Sequence, residues 1–363
     1  MEQNKSFTLT HSNIVKGIAV LMLLWHHLFY NNPENYNRYI SLFWIKGMPI
    51  EAFIAVFCKV CVAIFMFLSG FGLYKSYTAF MKNKKYARIK QDLLFIKNRW
   101  LKLMNPFWFV YLIFVPLSLF FGTPFFEVYG KNPLYYIADF FGLSYLFYNH
   151  AYTMNETWWY MSIIIVFTLL FPLLVKVHKR FPELAVFISI AVCIILPSSQ
   201  MRGFSVWICP FMIGMFFAHK QLFERLSGIF DTTLKQVLII AVSFILFFYI
   251  RMTTSMDAVK VDFLFMLPFI LTGFFIISKI PFVRTVFEQL GKKSGLIFLF
   301  HTFIFSKYFQ KFTYSFKYSV LIYIIFLTIC VAVAFVLEEL MKLTHYQKLF
   351  HYLTHGKTRE KTK

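Results

Sequence analysis

The stretch that decides the fold class is residues 14–30, IVKGIAVLMLLWHHLFY. Apart from Lys16 near its start and the histidine pair His26 and His27 near its end, nearly all of its side chains are apolar. A helix needs roughly 20 such residues to cross the hydrocarbon core of a bilayer, within a range of about 17–25. The stretch therefore predicts a membrane-spanning helix rather than a helix on the surface of a soluble domain.

Apolar runs of comparable length follow along the rest of the chain. They cover about residues 50–74, 105–121, 157–175, 184–198, 203–218, 234–250, 261–278, 295–311 and 319–341. Of the 363 residues, 59% are hydrophobic and only 15% are charged, which is too little charge for the surface of a soluble domain of this length. We predict an all-α integral membrane protein, a bundle of about ten transmembrane helices.

The charges of the loops predict the orientation. With ten spans, one set of loops and the two tails contain 27 Lys and Arg, and the opposite loops contain nine. Because basic residues are retained on the cytoplasmic side, both termini are expected in the cytoplasm. Pro133–Tyr148, which contains Asp139, is expected to be re-entrant or interfacial, since an eleventh span would reverse every later loop. Residues 1–341 then form the transmembrane domain and 342–363 a basic cytoplasmic tail.

The net charge of +21 does not predict a nucleic-acid partner, because the charges lie in short clusters between apolar runs. Membrane lipids are the expected surroundings.

The five cysteines all lie inside apolar runs, which excludes a secreted disulfide framework. Cys58 and Cys61 match the redox spacing C-x-x-C, but two small side chains packed in a helix are the favoured interpretation. The sequence shows no metal-ligand spacing, so neither a metal nor a bound cofactor is expected.

The first run also carries the strongest candidate residues for chemistry, because ionisable groups inside a bilayer are costly and usually functional. Lys16 and His27 are eleven residues apart, about three helical turns, so they lie on one face roughly 16 Å apart along the axis. They can hold the two ends of one long ligand. The alternative is a lysine that reaches one membrane interface and a histidine pair at the other.

Several motifs in order along the chain resemble the acyltransferase 3 family of membrane proteins, which modify cell-surface glycans. The first is the basic residue Lys16 followed by Gly-Ile-Ala and His27. The others are FMFLSGFGL at 65–73, RWLK at 99–102 with Pro106, WWYMS at 158–162 with Phe171 and Pro172, and GKKS at 291–294 followed by His301. Lys16 and Lys102 stand where the family usually has Arg, which keeps the charge but loses the planar guanidinium fork.

The resemblance implies a membrane O-acyltransferase that moves an acyl group, commonly acetyl, from cytoplasmic acyl-CoA to a hydroxyl of a cell-surface or lipid-linked glycan. A sugar hydroxyl needs a base near neutral pH, and neutral imidazole suits that role. His27 matches the family histidine, and His26 is the alternative base. Arg99 and Lys102 are expected to bind the donor phosphates, and Lys16 the phosphate end or the pantetheine arm.

Other candidates lie in the fourth and ninth runs. Glu156 is expected to orient a histidine or to bind sugar, and a solvated interfacial carboxylate is the alternative. Trp158, Trp159 and Tyr160 are candidates for stacking on the acceptor sugar, or for a membrane-interface belt. His301 either lines the donor channel or forms hydrogen bonds inside the bundle.

A second class of function stays open at this point. In a polysaccharide exporter without acyl-transfer activity, the same histidines and lysines would line a translocation path. Transporters often contain two related halves, and no such internal symmetry is visible in this sequence. The acyltransferase interpretation is therefore preferred, in a multi-pass protein of the bacterial plasma membrane.

Overall fold

The fold is described from a computed structural model. The residues that the structure describes are 6–30, 33–45, 47–82, 86–121, 125–130, 132–148, 151–197, 203–253 and 258–355. The helices are α1 (Leu9–Phe29), α2 (Ile50–Cys58), α3 (Cys61–Met81), α4 (Arg88–Leu117), α5 (Phe125–Tyr129), α6 (Pro133–Phe140), α7 (Ser144–Tyr148), α8 (Trp159–Arg180), α9 (Pro182–Ile195), α10 (Phe204–Lys220), α11 (Leu222–Ile229), α12 (Thr233–Thr253), α13 (Asp262–Phe275), α14 (Pro281–Thr302), α15 (Gln310–Tyr314), α16 (Ser319–Leu343) and α17 (Tyr346–His355). Two short antiparallel strands, β1 (Trp44–Ile45) and β2 (Met48–Pro49), precede α2.

Long apolar helices dominate the fold, which confirms the predicted all-α membrane class. In the described part of the chain, seven helical segments are long and apolar enough to cross a membrane. They are Leu9–Phe29, Ile50–Met81, Arg88–Leu117, Glu156–Arg180, Thr233–Thr253, Val259–Lys279 and Ser319–Leu343. Helices α10 and α11 form an eighth if they count as one span bent by 70°. Of the other predicted runs, α9 is only 14 residues long, and the run at 295–311 continues a helix whose first half is strongly charged.

The chain divides into two compact units. The first comprises Met1–Asp92, Leu169–Ser294 and Lys317–Ser319, and the second Leu93–Thr168, Gly295–Phe316 and Val320–Lys363.

Helix α1 of the first unit begins and ends at clear local signals. Thr8 caps its start, because its hydroxyl accepts from the His11 amide while the Thr8 amide donates to His11 Nδ1 at 3.0 Å. Tyr30 ends it by adopting an extended backbone, with φ −52° and ψ 144°. The helix between them is uninterrupted, so Lys16 and the histidine pair lie on one continuous α1.

Glycines allow the helices of the first unit to cross backbone to backbone. Gly70 on α3 contacts the carbonyl of Phe211 on α10, and Gly214 on α10 contacts the carbonyl of Phe67 on α3. A Cβ at either position would overlap that carbonyl, so the crossing requires glycine. Pairs of small residues in facing helices are a common way to pack membrane helices closely.

A second crossing of the same kind joins two of the motifs noted in the sequence. Gly17, which follows Lys16 on α1, contacts the carbonyl of Phe287 on α14. In return, Gly291 of the GKKS motif contacts the carbonyl of Asn13 on α1. The start of α1 and the charged first half of α14 therefore lie against each other in the first unit, at the positions where each motif has its glycine.

In the second unit, Pro133–Tyr148 forms two short helices, α6 and α7, and neither is long enough to span a bilayer. Gly142 turns the chain between them with φ +68°. These two short helices fit the predicted re-entrant or interfacial segment. The predicted tail forms α17, and residues 356–363 lie outside the described part.

Candidate functional site

His26 holds a defined position in the first unit. Its side chain is buried, and its Nδ1 lies 2.7 Å from the carbonyl oxygen of Ala55 on α2. A carbonyl can only accept, so Nδ1 carries the proton and donates it, and in the neutral ring Nε2 is then the basic nitrogen. The His26 ring also packs against His27 and Tyr30, with centroids 5.1 and 4.8 Å apart. His27 is half-buried beside it.

The acceptor of His26 lies next to a break between α2 and α3. The amide of Val60 donates to the carbonyl of Phe57, three residues back, at 3.2 Å. The carbonyl of Val56 accepts from Arg251 Nη2 on α12 at 2.9 Å. Arg251 is buried, forms an ion pair with the buried Asp262 on α13, and stacks over the Phe57 ring at 5.1 Å. This buried pair was not identified from the sequence, where Arg251 was counted only as a loop charge.

Glu51 is a second buried polar group near the start of α2. Its carboxylate accepts from the hydroxyls of Ser41, at 2.6 Å, and Ser319, at 2.8 Å. Its backbone carbonyl accepts from Trp25 Nε1 at 3.1 Å. Because Trp25 precedes His26, this bond and the bond to Ala55 attach the end of α1 to α2 at two neighbouring points.

The second unit contains Glu156 and the aromatic residues of the fourth run. Trp158 is buried and donates through Nε1 to the carbonyl of Leu299 at 3.0 Å. Trp159 and Tyr160 are half-buried, and Glu156 is exposed, with Oε1 3.4 Å from Lys307 Nζ. Within this cluster, Trp158 is therefore a packed anchor, whereas its neighbours present part of their surface.

Asp139 lies beside these residues and was missed as a candidate. Its buried carboxylate accepts from Tyr129 Oη at 2.5 Å, Thr153 Oγ1 at 2.8 Å, the Met154 amide at 3.0 Å and Ser144 Oγ at 3.1 Å. Burial raises the pKa of Asp139 to about 6, and the hydrogen bond from Tyr129 opposes that rise. A small cavity of about 10 Å³, room for roughly one water molecule, lies between Asp139 and the group of residues 153–162. The only signal in the sequence was one Asp in an otherwise apolar and aromatic stretch.

His301 is fully buried in the second unit. Its Nδ1 lies 3.0 Å from the carbonyl oxygen of Ile297 and 2.9 Å from that of Phe298, both on its own helix. A π-helical segment, Phe303–Tyr308, begins two residues later, and such segments are often found at functional sites. Of the two roles expected for His301, these contacts fit hydrogen bonding inside the protein.

Arg99 and Lys102 lie within α4, because this helix begins at Arg88, well before the predicted apolar run. Arg99 is half-buried, and its Nε has no hydrogen-bond partner in the described part of the chain. Lys102 is exposed and lines a cavity of about 590 Å³ formed within the second unit by α4, α14, α16 and α17. A cavity of about 500 Å³ in the same unit has an almost entirely apolar lining and contains none of the predicted site residues.

The candidate residues fall into two groups. Lys16, His26 and His27 belong to the first unit, and the other seven to the second. In the described part of the chain, no three His, Cys, Asp or Glu side chains are arranged to hold a metal ion.

The chain matches the sequence pattern of one known protein family. The model of the acyltransferase 3 family, described as an acyltransferase domain, matches residues 11–339. This match includes α1 with its histidine pair, α4 with Arg99 and Lys102, and the WWYMS and GKKS motifs. No curated protein and no solved structure matches the chain. Since the matched region covers nearly all of the predicted membrane domain, the chain belongs to the acyltransferase 3 family of membrane acyltransferases.

Proposed function

We propose that this protein is an O-acyltransferase of the bacterial plasma membrane. It transfers an acyl group, acetyl in the first instance, from cytoplasmic acyl-CoA to a hydroxyl of a cell-surface polysaccharide or a lipid-linked saccharide. The observation that carries the proposal is the histidine pair at the end of α1, in a chain of an acyltransferase family, with His26 held by a backbone carbonyl so that its Nε2 is basic. A buried imidazole with one fixed tautomer is suited to general-base chemistry.

The proposed topology has ten spans and both termini in the cytoplasm. The bias of 27 to nine basic residues supports it, and each of the ten apolar runs contains a helix in the structure. Single cysteines introduced near residue 90 and near residue 358, in a chain without its native cysteines, test this arrangement. Both should resist a membrane-impermeant thiol reagent added from outside and react after the membrane is opened. Labelling from outside at either position would contradict the topology.

The reaction begins when a histidine of the α1 pair removes the proton of the acceptor hydroxyl. The hydroxyl oxygen then attacks the thioester carbonyl, the new ester C–O bond forms, and the C–S bond breaks. The coenzyme A thiolate leaves and takes up the proton that the imidazolium holds, so protons and electrons balance without another reactant. Removal of the base should lower the rate by roughly 10²–10⁴-fold.

The remaining candidates divide between donor and acceptor. We assign Lys16, Arg99 and Lys102 to the donor, because coenzyme A carries several phosphates. For His301 we retain the other expected role, hydrogen bonding inside the protein, because its Nδ1 lies against two carbonyls of its own helix.

We assign Glu156, Trp159 and Tyr160 to the acceptor side, where the Glu156 carboxylate accepts from a sugar hydroxyl. Trp158 belongs to the same group, and its buried ring and its bond to the carbonyl of Leu299 hold this segment in place.

The decisive activity test replaces each histidine of the α1 pair. His27→Ala should abolish acylation of surface glycans, measured by mass spectrometry, with normal protein levels in the membrane. His26→Asn keeps an N–H that can reach the Ala55 carbonyl but removes the basic nitrogen, whereas His26→Ala removes both. If His26 only positions α1, the Asn variant keeps activity; if His26 is the base, both variants lose it. Full acylation in all three variants and in the deletion strain would favour the exporter.

The donor assignment is tested with Arg99. A charge-assisted contact to phosphate is worth about 1.5–3 kcal/mol, so Arg99→Ala should raise the KM for acyl-CoA roughly 10- to 150-fold. The KM for the glycan should change little. Arg99→Lys is the matched control for charge alone. Normal donor affinity in a folded Arg99→Ala protein, measured by calorimetry, would exclude the donor role.

A further inference from the structure

The cavity beside Lys102 has the dimensions and the mixed lining of a ligand site. Its volume of about 590 Å³ lies within the range of roughly 300–1,000 Å³ typical of small-molecule sites. Its polar lining comprises Asn98, Lys102, Asn105, Glu338, Gln347, His351 and Thr354, and its apolar lining Leu101, Pro106, Leu296, Met341 and Phe350. All of these residues belong to the second unit.

One wall of this cavity is α17, an amphipathic helix attached to α4 by side-chain bonds. Tyr346 Oη donates to the backbone carbonyl of Asn105 at 3.0 Å, and Asn105 Nδ2 donates to Gln347 Oε1 at 3.2 Å. The ring of Phe350 packs against Trp108 with centroids 6.0 Å apart. These contacts fix α17 so that Gln347 and Phe350 line the cavity. Helix α17 lies beyond residues 11–339, so the family match assigns this wall no role.

The lining residue Asn105 has an acceptor atom that the described part of the protein leaves unused. Asn105 Oδ1 is buried, and no hydrogen-bond donor in the described part of the chain reaches it. The next residue, Pro106, has no amide hydrogen, so it cannot make the helical bond to the carbonyl of Lys102. A buried acceptor without a donor is costly, and a ligand N–H that reaches Asn105 removes that cost.

The geometry points to a purine nucleotide, and we propose that this cavity binds the adenine nucleotide end of the acyl-CoA donor. The inference rests on the proposed function. Adenine offers an exocyclic N–H₂ for Asn105 Oδ1 and a flat face for the Phe350 ring. Lys102 is exposed and lines the cavity, so its ammonium group can bind a phosphate of the nucleotide. The carboxylate of Glu338, also in the lining, can accept from a ribose hydroxyl.

The test measures binding of coenzyme A and of adenosine 3′,5′-bisphosphate to the purified full-length protein by titration calorimetry. Phe350→Ala should weaken both ligands roughly 10- to 100-fold, as expected for the loss of base stacking. Phe350→Trp should retain binding. The matched control is Leu353→Ala, which truncates an exposed side chain on the same helix outside the cavity lining. Asn105→Leu should weaken the adenine nucleotides and leave an acyl-pantetheine fragment, which lacks adenine, unaffected.

Each outcome separates this inference from the proposed function. If the wild type binds coenzyme A and folded Phe350→Ala and Asn105→Leu bind it equally well, the inference is wrong and the acyltransferase proposal stands. If the wild type binds no coenzyme A at all, both are wrong. If inorganic phosphate or an anionic phospholipid competes as well as adenosine 3′,5′-bisphosphate, the cavity binds phosphate in general and the adenine assignment is overturned.

Discussion

Asp139 gives the sharpest prediction about stability. Burial raises the pKa of its carboxyl from 3.8 to about 6, so the folded protein keeps this proton at pH values at which the unfolded chain has released it. Because the folded pKa is the higher one, the stabilisation is fully present below about pH 4 and is lost as the pH rises to about 6. A rise of about two pH units corresponds to about 3 kcal/mol in the free energy of unfolding.

The measurement compares the pH dependence of wild type and Asp139→Asn by thermal unfolding in detergent between pH 4 and pH 7. The amide does not titrate. The free energy of unfolding of the wild type should therefore fall by about 3 kcal/mol relative to that of Asp139→Asn as the pH rises from about 4 to about 6, and the difference should stay constant above pH 6. Asp231→Asn removes an exposed carboxylate paired with Lys235 and should show no such change. Parallel pH profiles for wild type and Asp139→Asn would refute the raised pKa.

Two further predictions concern packing and are checked by unfolding of the purified variants. Gly70→Ala should reduce the free energy of unfolding by about 1–3 kcal/mol, because the added methyl group meets the Phe211 backbone. The control Gly72→Ala adds a methyl group that faces open space on the same helix, so it should not reduce the free energy of unfolding. Equal stability of the two variants would contradict the close crossing. Arg251→Met should cost about 3–5 kcal/mol because Asp262 stays buried without its partner, and adding Asp262→Leu should recover most of that loss. An equal loss in the single and double variants would exclude the pair.

The helices that cross the membrane were predictable because each needs a long apolar run, as in α1 and α16. Their ends were less predictable, since nothing requires a helix to stop at the membrane surface. Helix α4 begins at Arg88 and α14 at Pro281, both well before the apolar residues start. Lys, Arg, Gln and Leu are good helix formers, so the charged stretches at the start of α4 extend the helix. The break between α2 and α3, at Lys59 and Val60, was hidden for another reason, because neither Gly nor Pro marks it.

The candidate site was predictable only where one stretch of sequence carries it. The histidine pair and the WWYMS residues were found because each motif is local. Asp139 was not, because its four donors come from three separate stretches, 129, 144 and 153–154, that only the fold brings together. The cavity beside Lys102 combines α4 with residues of α14, α16 and α17, and the bond between Asn105 and Gln347 joins positions 242 residues apart in sequence.

Irregular helices connect the fold to the candidate site in both units. A regular helix uses its own carbonyls as acceptors, so a carbonyl near a helix end or a change of register is more open to a side chain from another segment. In the first unit the end of α2 offers the carbonyl of Ala55 to His26.

In the second unit the carbonyl of Leu299, close before the π-helical segment at Phe303, accepts from both Asn155 and Trp158. Backbone acceptors hold a side chain more rigidly than a mobile side chain would, and a base or a sugar platform needs that rigidity. The two irregularities therefore explain how the fold holds His26 and Trp158 in fixed positions.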